Sequence, residues 1–239
     1  MQILQQKRHA LLLLSLALIL ADIFLVAPGA WLAVNILQPH VVASQNDMLI
    51  AAFLLLRNAV LYGTEFSFAY LVLCSRRSIP WQEIGLRLPA DRTSAFFLLV
   101  LSLFAIPAIL LVEALWSKLF LLLFHVPTAR DDQFRLYGLP LSHAALVVLL
   151  LIAAPICEEI IFRGLIMRWL LRMGIAPWMA IIGTALLFAC GHLDPSNLEN
   201  YFLSGLILGY LAYRTRSLIP AMIWHALFNL LALLALLAH

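Results

Sequence analysis

The chain is short of charge. Only 11% of its 239 residues are Asp, Glu, Lys or Arg, 64% are hydrophobic, and the mean hydropathy is +1.02. Soluble domains carry about 25% charged residues, so that class is excluded. Cysteine is scarce too. Cys74, Cys157 and Cys190 are too few and too scattered for a disulfide framework, and each reads as a small packing residue in a helix. Low-complexity tracts, long linkers and clear repeats are missing. So are an HExxH zinc helix, a GxSxG nucleophile elbow and any serine with an evident histidine–acid partner set. The net charge of +3 sits between apolar runs rather than on one patch, so no nucleic-acid partner is expected.

What the chain has in quantity is apolar length. Runs long enough to cross a bilayer recur throughout, which predicts an all-α, polytopic transmembrane helix bundle forming one membrane-embedded unit. Seven spans are expected, at about 10–27, 48–73, 95–124, 141–162, 176–192, 198–213 and 218–238. Pro28-Gly29, Pro39, Pro80, Pro89, Pro127, Pro177 and Pro220 punctuate them. The opening "QQKRHALLLLSLALILADIFLVAPGA" has the basic start and small-residue end of a signal peptide. Its apolar run exceeds the usual length of about 7–15 residues, so it reads as a retained first span.

The cations orient the spans. A cytoplasmic N-terminus gives that side Lys7, Arg8, Arg76, Arg77, Arg87, Arg92, Arg163, Arg168, Arg172, Arg214 and Arg216, eleven of fifteen. The opposite loops keep Arg130 and Arg135, beside Asp194 and Glu199, while Arg57 and Lys118 lie in or near spans. The segment "SIPWQEIGLRLPADRT" (78–93) mixes Trp81, Ile84 and Leu86 with charges and reads as lying on the cytoplasmic interface.

Ionisable residues fall inside the spans at Asp22, Arg57, Glu65, Glu113, Glu158, Glu159, His192 and His225. Intramembrane charge is expensive and usually faces a partner or a water-filled cavity. The first four are scattered, and Arg57 is expected to pair with Glu65 or Glu113 in a structural role.

The later ones form a pattern. In "APICEEIIFRG", Glu159 and Arg163 are four apart and share a helix face, where each neutralises the other. Glu158 points roughly 100° away. One carboxylate is then tied up while the other stays free, and a free carboxyl in low-dielectric surroundings suits general-base work near neutrality. Two salt-bridged carboxylates near a helix end are the alternative.

"LLFACGH" sets Phe188 and His192 four apart. If spans 4 and 5 turn near 173–175, Glu158 lies opposite residue 190, and His192 is about 3 Å of rise further on. "WHALFN" places His225 and Asn229 on one face of span 7. Both can donate hydrogen bonds to a developing oxyanion, or serve as polar glue between helices. His225 matches the depth of Glu158 only if the Arg168–Arg172 end of span 4 projects beyond the membrane. Asn197 and Asn200 read as loop or cap residues. No short-spaced ligand pair marks a metal site.

Together, Glu158-Glu159-x-x-Phe162-Arg163, Phe188-x-x-x-His192 and His225-x-x-x-Asn229 resemble the three motifs of the CPBP family, the CaaX-protease and bacteriocin-processing group of intramembrane endopeptidases. The resemblance covers about 141–235. It implies a catalytic core at 141–239 with four spans, after variable N-terminal helices at 1–140 with three, and an active-site cavity among helices 4, 5 and 7. It further implies that Glu158 activates a water together with His192, that His225 and Asn229 hold the oxyanion, and that Glu159 and Arg163 brace the site beside Phe188. No cofactor is expected. A divalent metal such as zinc at Glu158, His192 and His225 is the alternative. The expected partners are the lipid bilayer and a membrane-associated peptide or protein tail, of CaaX type or a bacterial processing substrate. The arginine-weighted loops and compact size point to a multi-pass protein of a bacterial inner membrane. The rival reading is a non-catalytic polytopic factor, for immunity or transport, whose buried polar residues are structural.

Overall fold

A computed structural model describes residues 29, 36, 40–41, 46–73, 84–125 and 140–237. The expectations for the first span, Asp22, Cys74, Arg76, Arg77, Trp81, Arg130 and Arg135 lie outside them, as does the Glu65 side chain.

Regular structure among the described residues is entirely helical. Helices α1 (Asp47–Leu73), α2 (Arg92–Leu103) and α3 (Ile106–Phe124) precede a long composite helix, α4. It runs without a break through Pro140–Val148, a π segment at Leu149–Ala153, Ala154–Glu158, a second π segment at Glu159–Met167, and Arg168–Arg172. Then come α5 (Pro177–Gly191), a 3₁₀ turn (Pro195–Asn197), α6 (Leu198–Thr215) and α7 (Ile219–Leu237).

Three stretches are long and apolar enough to cross a membrane: Asp47–Thr64, Arg92–Phe124 and His143–Arg172. Pro177–Gly191 and Ile219–Leu234 are shorter apolar helices. Large side chains such as Leu101, Phe104, Leu111 and Leu122 stand exposed, a surface that suits lipid and not water. The chain is an integral membrane protein.

Two expected spans differ in detail. The third is a pair, α2 and α3, joined where the Phe104 and Ala105 amides reach back only three residues, to the Leu101 and Ser102 carbonyls, before Pro107 opens α3. The fourth continues past residue 162 to Arg172.

Proline explains the first wide turn of α4. The Pro155 ring would clash with the carbonyl four residues back, and widening the helix relieves that contact. The Ala154 amide accordingly donates to Leu149, five residues back. The same register would match the Leu150 carbonyl to residue 155, which has no N–H.

The turn into α5 is a Schellman closure: Gly174 (φ +85°) donates to Leu171, and Ile175 donates to Leu170. Helices α5 and α6 then pack backbone to backbone. A Cβ on Gly205 would stand 3.0 Å from the Ala185 Cα, and one on Gly209 would stand 3.1 Å from the Ile181 side chain. This Gly205-x-x-x-Gly209 spacing is the small-residue pattern of membrane helix pairs, and the sequence reading passed over it.

The core gathers Ile161, Phe162, Leu165, Ile166, Phe188, Leu208, Trp224 and Phe228. Ile84 belongs to it as well and is fully buried. Gly164 makes the room, since its missing Cβ would meet the Ile84 side chain at 2.6 Å. A smaller cluster of Ile50, Leu54 and Leu149 fixes α1 against α4.

Candidate active site

Glu158 and Glu159 sit where α4 passes from ordinary helix into its second π segment, and both are buried. Such irregular turns re-aim side chains and concentrate at functional sites. The two carboxylates have different partners.

Glu159 is fully buried and faces inward. Its Oε1 accepts from Arg163 Nη1 at 2.9 Å and from His225 Nδ1 at 3.2 Å. Arg163, also fully buried, donates from Nη2 to the Gly205 carbonyl at 3.0 Å and lies 4.6 Å over the Phe188 ring. A carboxylate, a carbonyl and an aromatic face therefore compensate this guanidinium from three helices. Arg163 is no cytoplasmic loop cation, and its place in the orientation count is corrected accordingly.

Glu158 faces α1 and α7. Its Oε1 accepts from the Tyr62 hydroxyl at 2.9 Å, and its Oε2 lies 3.7 Å from His225 Nε2. The second distance is too long for a hydrogen bond but short enough for ionic attraction. His225 thus bridges the two acids, Nδ1 toward Glu159 and Nε2 toward Glu158. Carboxylate oxygens accept, so Nδ1 carries a proton.

His192 caps α5 and stands apart from the acids. Its Nδ1 meets the Phe188 carbonyl at 2.7 Å. That carbonyl only accepts, so Nδ1 holds the proton and the neutral ring presents a lone pair at Nε2. Tyr201 stacks on the imidazole at 3.9 Å, with Phe188 edge-on at 4.6 Å. Phe188 also meets the His225 ring at 6.0 Å and the Phe162 ring at 5.3 Å, so it forms the wall shared by both histidines. The segment after His192 is held by Asp194, which accepts from Ser196 and Asn197.

Asn229, one helical turn beyond His225, donates from Nδ2 to the Leu150 carbonyl at 2.8 Å. That is the carbonyl left without an amide by Pro155. One N–H of Asn229 is thereby committed to the α4 backbone and one remains.

Glu158, Glu159, Arg163, Phe188 and His225 are therefore brought together, while His192 joins through Phe188, by ring contact and a bond to its carbonyl, and Asn229 through the α4 backbone. Glu113, expected as a partner for Arg57, accepts from Asn200 Nδ2 at 3.3 Å. Asn200 is buried within α6 and not in a loop. Sequence reasoning missed Tyr62. Its only signal was a hydroxyl on the apolar span before the motifs, and nothing local links it to residue 158.

No three His, Cys, Asp or Glu side chains converge on a point where they could hold a metal ion among the described residues. The donor set does not fit one, and no chemistry is derived through a metal. An apolar groove of about 290 Å³ between α2 and α6, lined by Leu98, Leu101, Leu206, Ile207 and Tyr210, lies away from these groups.

Residues 140–231 fit the family model described as type II CAAX prenyl endopeptidase Rce1-like. The matched segment begins at the first residue of α4 and ends within α7, so it encloses every motif residue but not Tyr62. No curated protein and no solved structure matches the chain.

Proposed function

We propose glutamate-activated, intramembrane hydrolysis of a peptide bond for this chain, whose residues 140–231 fit the Rce1-like model of type II CAAX prenyl endopeptidases. The match supports a protease; the mechanism and substrate are our reading. One observation carries it. Of two adjacent buried acids, Glu159 holds the arginine and a histidine nitrogen, while Glu158 holds only a tyrosine hydroxyl and a distant imidazole edge.

In this reading a water donates one hydrogen bond to Glu158 and one to the Nε2 lone pair of His192. Glu158 removes a proton as the water oxygen bonds to the scissile carbonyl carbon. The carbonyl electron pair moves onto oxygen, where the uncommitted N–H of Asn229 stabilises it, together with Nε2–H of His225 when both its ring nitrogens carry protons. The pair then returns, the C–N bond breaks, and the amine leaves with the proton Glu158 carried. Glu159 and Arg163 hold His225 in its orientation, and Phe188 excludes water from the far side. The substrate is a tail of a membrane-associated peptide or protein, of prenylated CaaX type or a bacterial processing substrate. We place the chain in a bacterial inner membrane with its N-terminus cytoplasmic, with 141–239 as the catalytic core and 1–140 as variable helices.

The test is cleavage of fluorogenic, membrane-anchored C-terminal tails, prenylated and unprenylated, by wild type and Glu158→Gln. Loss of a general base lowers the rate by about 10³-fold, and the variant should melt within a few degrees of wild type. Undiminished cleavage by a folded variant refutes the role of Glu158. The Asn229–Leu150 bond also fits a second reading, in which the polar residues are structural. That reading gains if wild type leaves every tail intact while Glu158→Gln lowers the melting temperature sharply.

A further inference from the structure

The opposite end of α4 carries charge that the catalytic reading does not use. Arg168 is half-buried, one turn before the helix ends. Its guanidinium makes no hydrogen bond or ion pair among the described residues, and its Nε is buried and unpaired. The group rests on the backbone of Gly85. A Cβ there would collide with Arg168 Nη2 and stand 3.1 Å from Cζ, and the glycine is at φ +96°. The absent side chain is therefore what lets the guanidinium lie on this loop.

Arg87, two residues along the same loop, is close enough to Arg168 for the two charges to repel. Its backbone is locked in place. Arg87 N donates to the Gly85 carbonyl at 2.8 Å, Ser217 Oγ donates to the Arg87 carbonyl at 2.5 Å, and Leu218 N donates to the Gly85 carbonyl at 2.9 Å. The Arg87 Nε reaches the Arg216 carbonyl at 3.4 Å, a long contact that leaves both terminal nitrogens of the fork without a partner. Arg216 itself is exposed, in the left-handed conformation that ends α6. Arg168 from α4 and Arg87 from the 84–88 loop thus face one spot, beside the backbone of the α6–α7 turn. Neither meets a carboxylate among the described residues; the nearby Asp91 caps α2 through Ser94 instead.

A half-buried guanidinium with its Nε unpaired, facing a second one, is costly as it stands. An anion with several oxygens in a compact tetrahedron removes the repulsion and answers both forks at once. The position agrees, because Arg168 lies near one end of His143–Arg172, a stretch long and apolar enough to cross a membrane, and headgroups gather at such ends. We infer that Arg87 and Arg168 form a binding site for a phosphate group, supplied by an anionic lipid headgroup or by a free phosphate. The inference is independent of the catalytic reading, since neither the acids nor the histidines take part.

The test is thermal melting of the purified full chain in uncharged detergent, at fixed ionic strength. Phosphatidylglycerol, phosphatidylcholine and inorganic phosphate are titrated separately into wild type, Arg168→Gln and Arg87→Gln. A saturating ligand should raise the wild-type melting temperature by about 5 °C. Phosphatidylglycerol should produce this rise and phosphatidylcholine should not, with most of the rise lost in each variant. A rise with phosphatidylglycerol alone assigns the site to a lipid, and a comparable rise with inorganic phosphate assigns it to the free anion. Equal responses to the two lipids, no response to any ligand, or a rise that survives in both variants overturns the site. Arg87 is exposed and its replacement leaves the core intact, so Arg87→Gln decides the matter if Arg168→Gln does not fold.

Discussion

Arg163 and Arg168 stand five residues apart on the same helix, and their surroundings answer their charge in opposite ways. Arg163, at the middle of the bundle, is enclosed by Glu159, the Gly205 carbonyl and the Phe188 face. Arg168, near the helix end, faces only another arginine and a glycine backbone. Deep in the membrane no outside ion can reach a charge, so the chain must supply the counter-charge and hold it in place. At the end of the helix the counter-charge can come from the bilayer or from solution. Internal compensation thus marks a site built to be permanent, and its absence marks one built to be filled.

The sharpest way to break this comparison is to remove each cation in turn. Arg163→Leu strands Glu159 in the core with His225 alone. Loss of one partner of a buried pair costs about 3–5 kcal/mol, which for a chain of this size lowers the melting temperature by on the order of 10 °C. Arg168→Gln, measured in uncharged detergent without added anion, breaks no internal bond and should shift it by less than about 2 °C. Pairing Arg163→Leu with Glu159→Gln should recover much of the loss, because the orphaned charge goes with its partner. Equal losses from the two single changes would dissolve the distinction.

A smaller effect divides the two acids. Tyr62 donates to Glu158 and to no atom of Glu159. Tyr62→Phe removes one hydrogen bond to the proposed base, and a bond to a charged group is worth about 1.5–3 kcal/mol. We expect cleavage to fall by roughly tenfold through kcat, with KM and the melting temperature little changed. A fall in KM alone, or no kinetic change, would separate Tyr62 from the chemistry.

Smaller again is the bond that ties α7 to α4. If Asn229 satisfies the carbonyl that Pro155 leaves open, Asn229→Ala should destabilise by about 1–3 kcal/mol. In a Pro155→Ala background an amide returns to that carbonyl, and the same change should then cost less than half as much. A thermal double-mutant cycle reads the difference, and an unchanged cost would show that the proline is not the reason for the contact.

These contrasts also separate what the sequence states from what only folding creates. The Glu159–Arg163 pair was legible because four-residue spacing on one helix is a local rule. The α4–α5 turn was legible from Met173–Ile175, and the all-helical class followed from composition. The approach of His225 to Glu158 was not. It depends on α4 running to Arg172 and on two π segments, and hydrophobic patterning does not report helix widening. Tyr62 was hidden for a related reason, because a contact across 96 positions has no local signature. Arg163 misled the charge count because an arginine beside a span's end looks like a loop cation until its partners are seen. The packing of Ile84 into the space left by Gly164 was hidden too, because a contact across eighty positions has no local signature.

The smallest expected effect lies at a charge that is neither buried nor waiting for a ligand. Asp91 is exposed at the N-cap of α2, where its carboxylate accepts the Ser94 amide at 3.0 Å. The hydrogen bonds from Ser94 hold its pKa below the ordinary 3.8. A group whose folded pKa is depressed contributes stability that is fully present above the unfolded value and is lost as pH falls through the folded one. This contribution is therefore complete at neutral pH and disappears only in acid below 3.8. Asp91→Asn keeps a side-chain acceptor at the cap but cannot titrate. The variant should melt close to wild type at neutral pH, and the gap between their melting curves should narrow or reverse as the pH is taken below that value. A difference that stays constant from neutral to acid pH would show that the cap's charge contributes nothing.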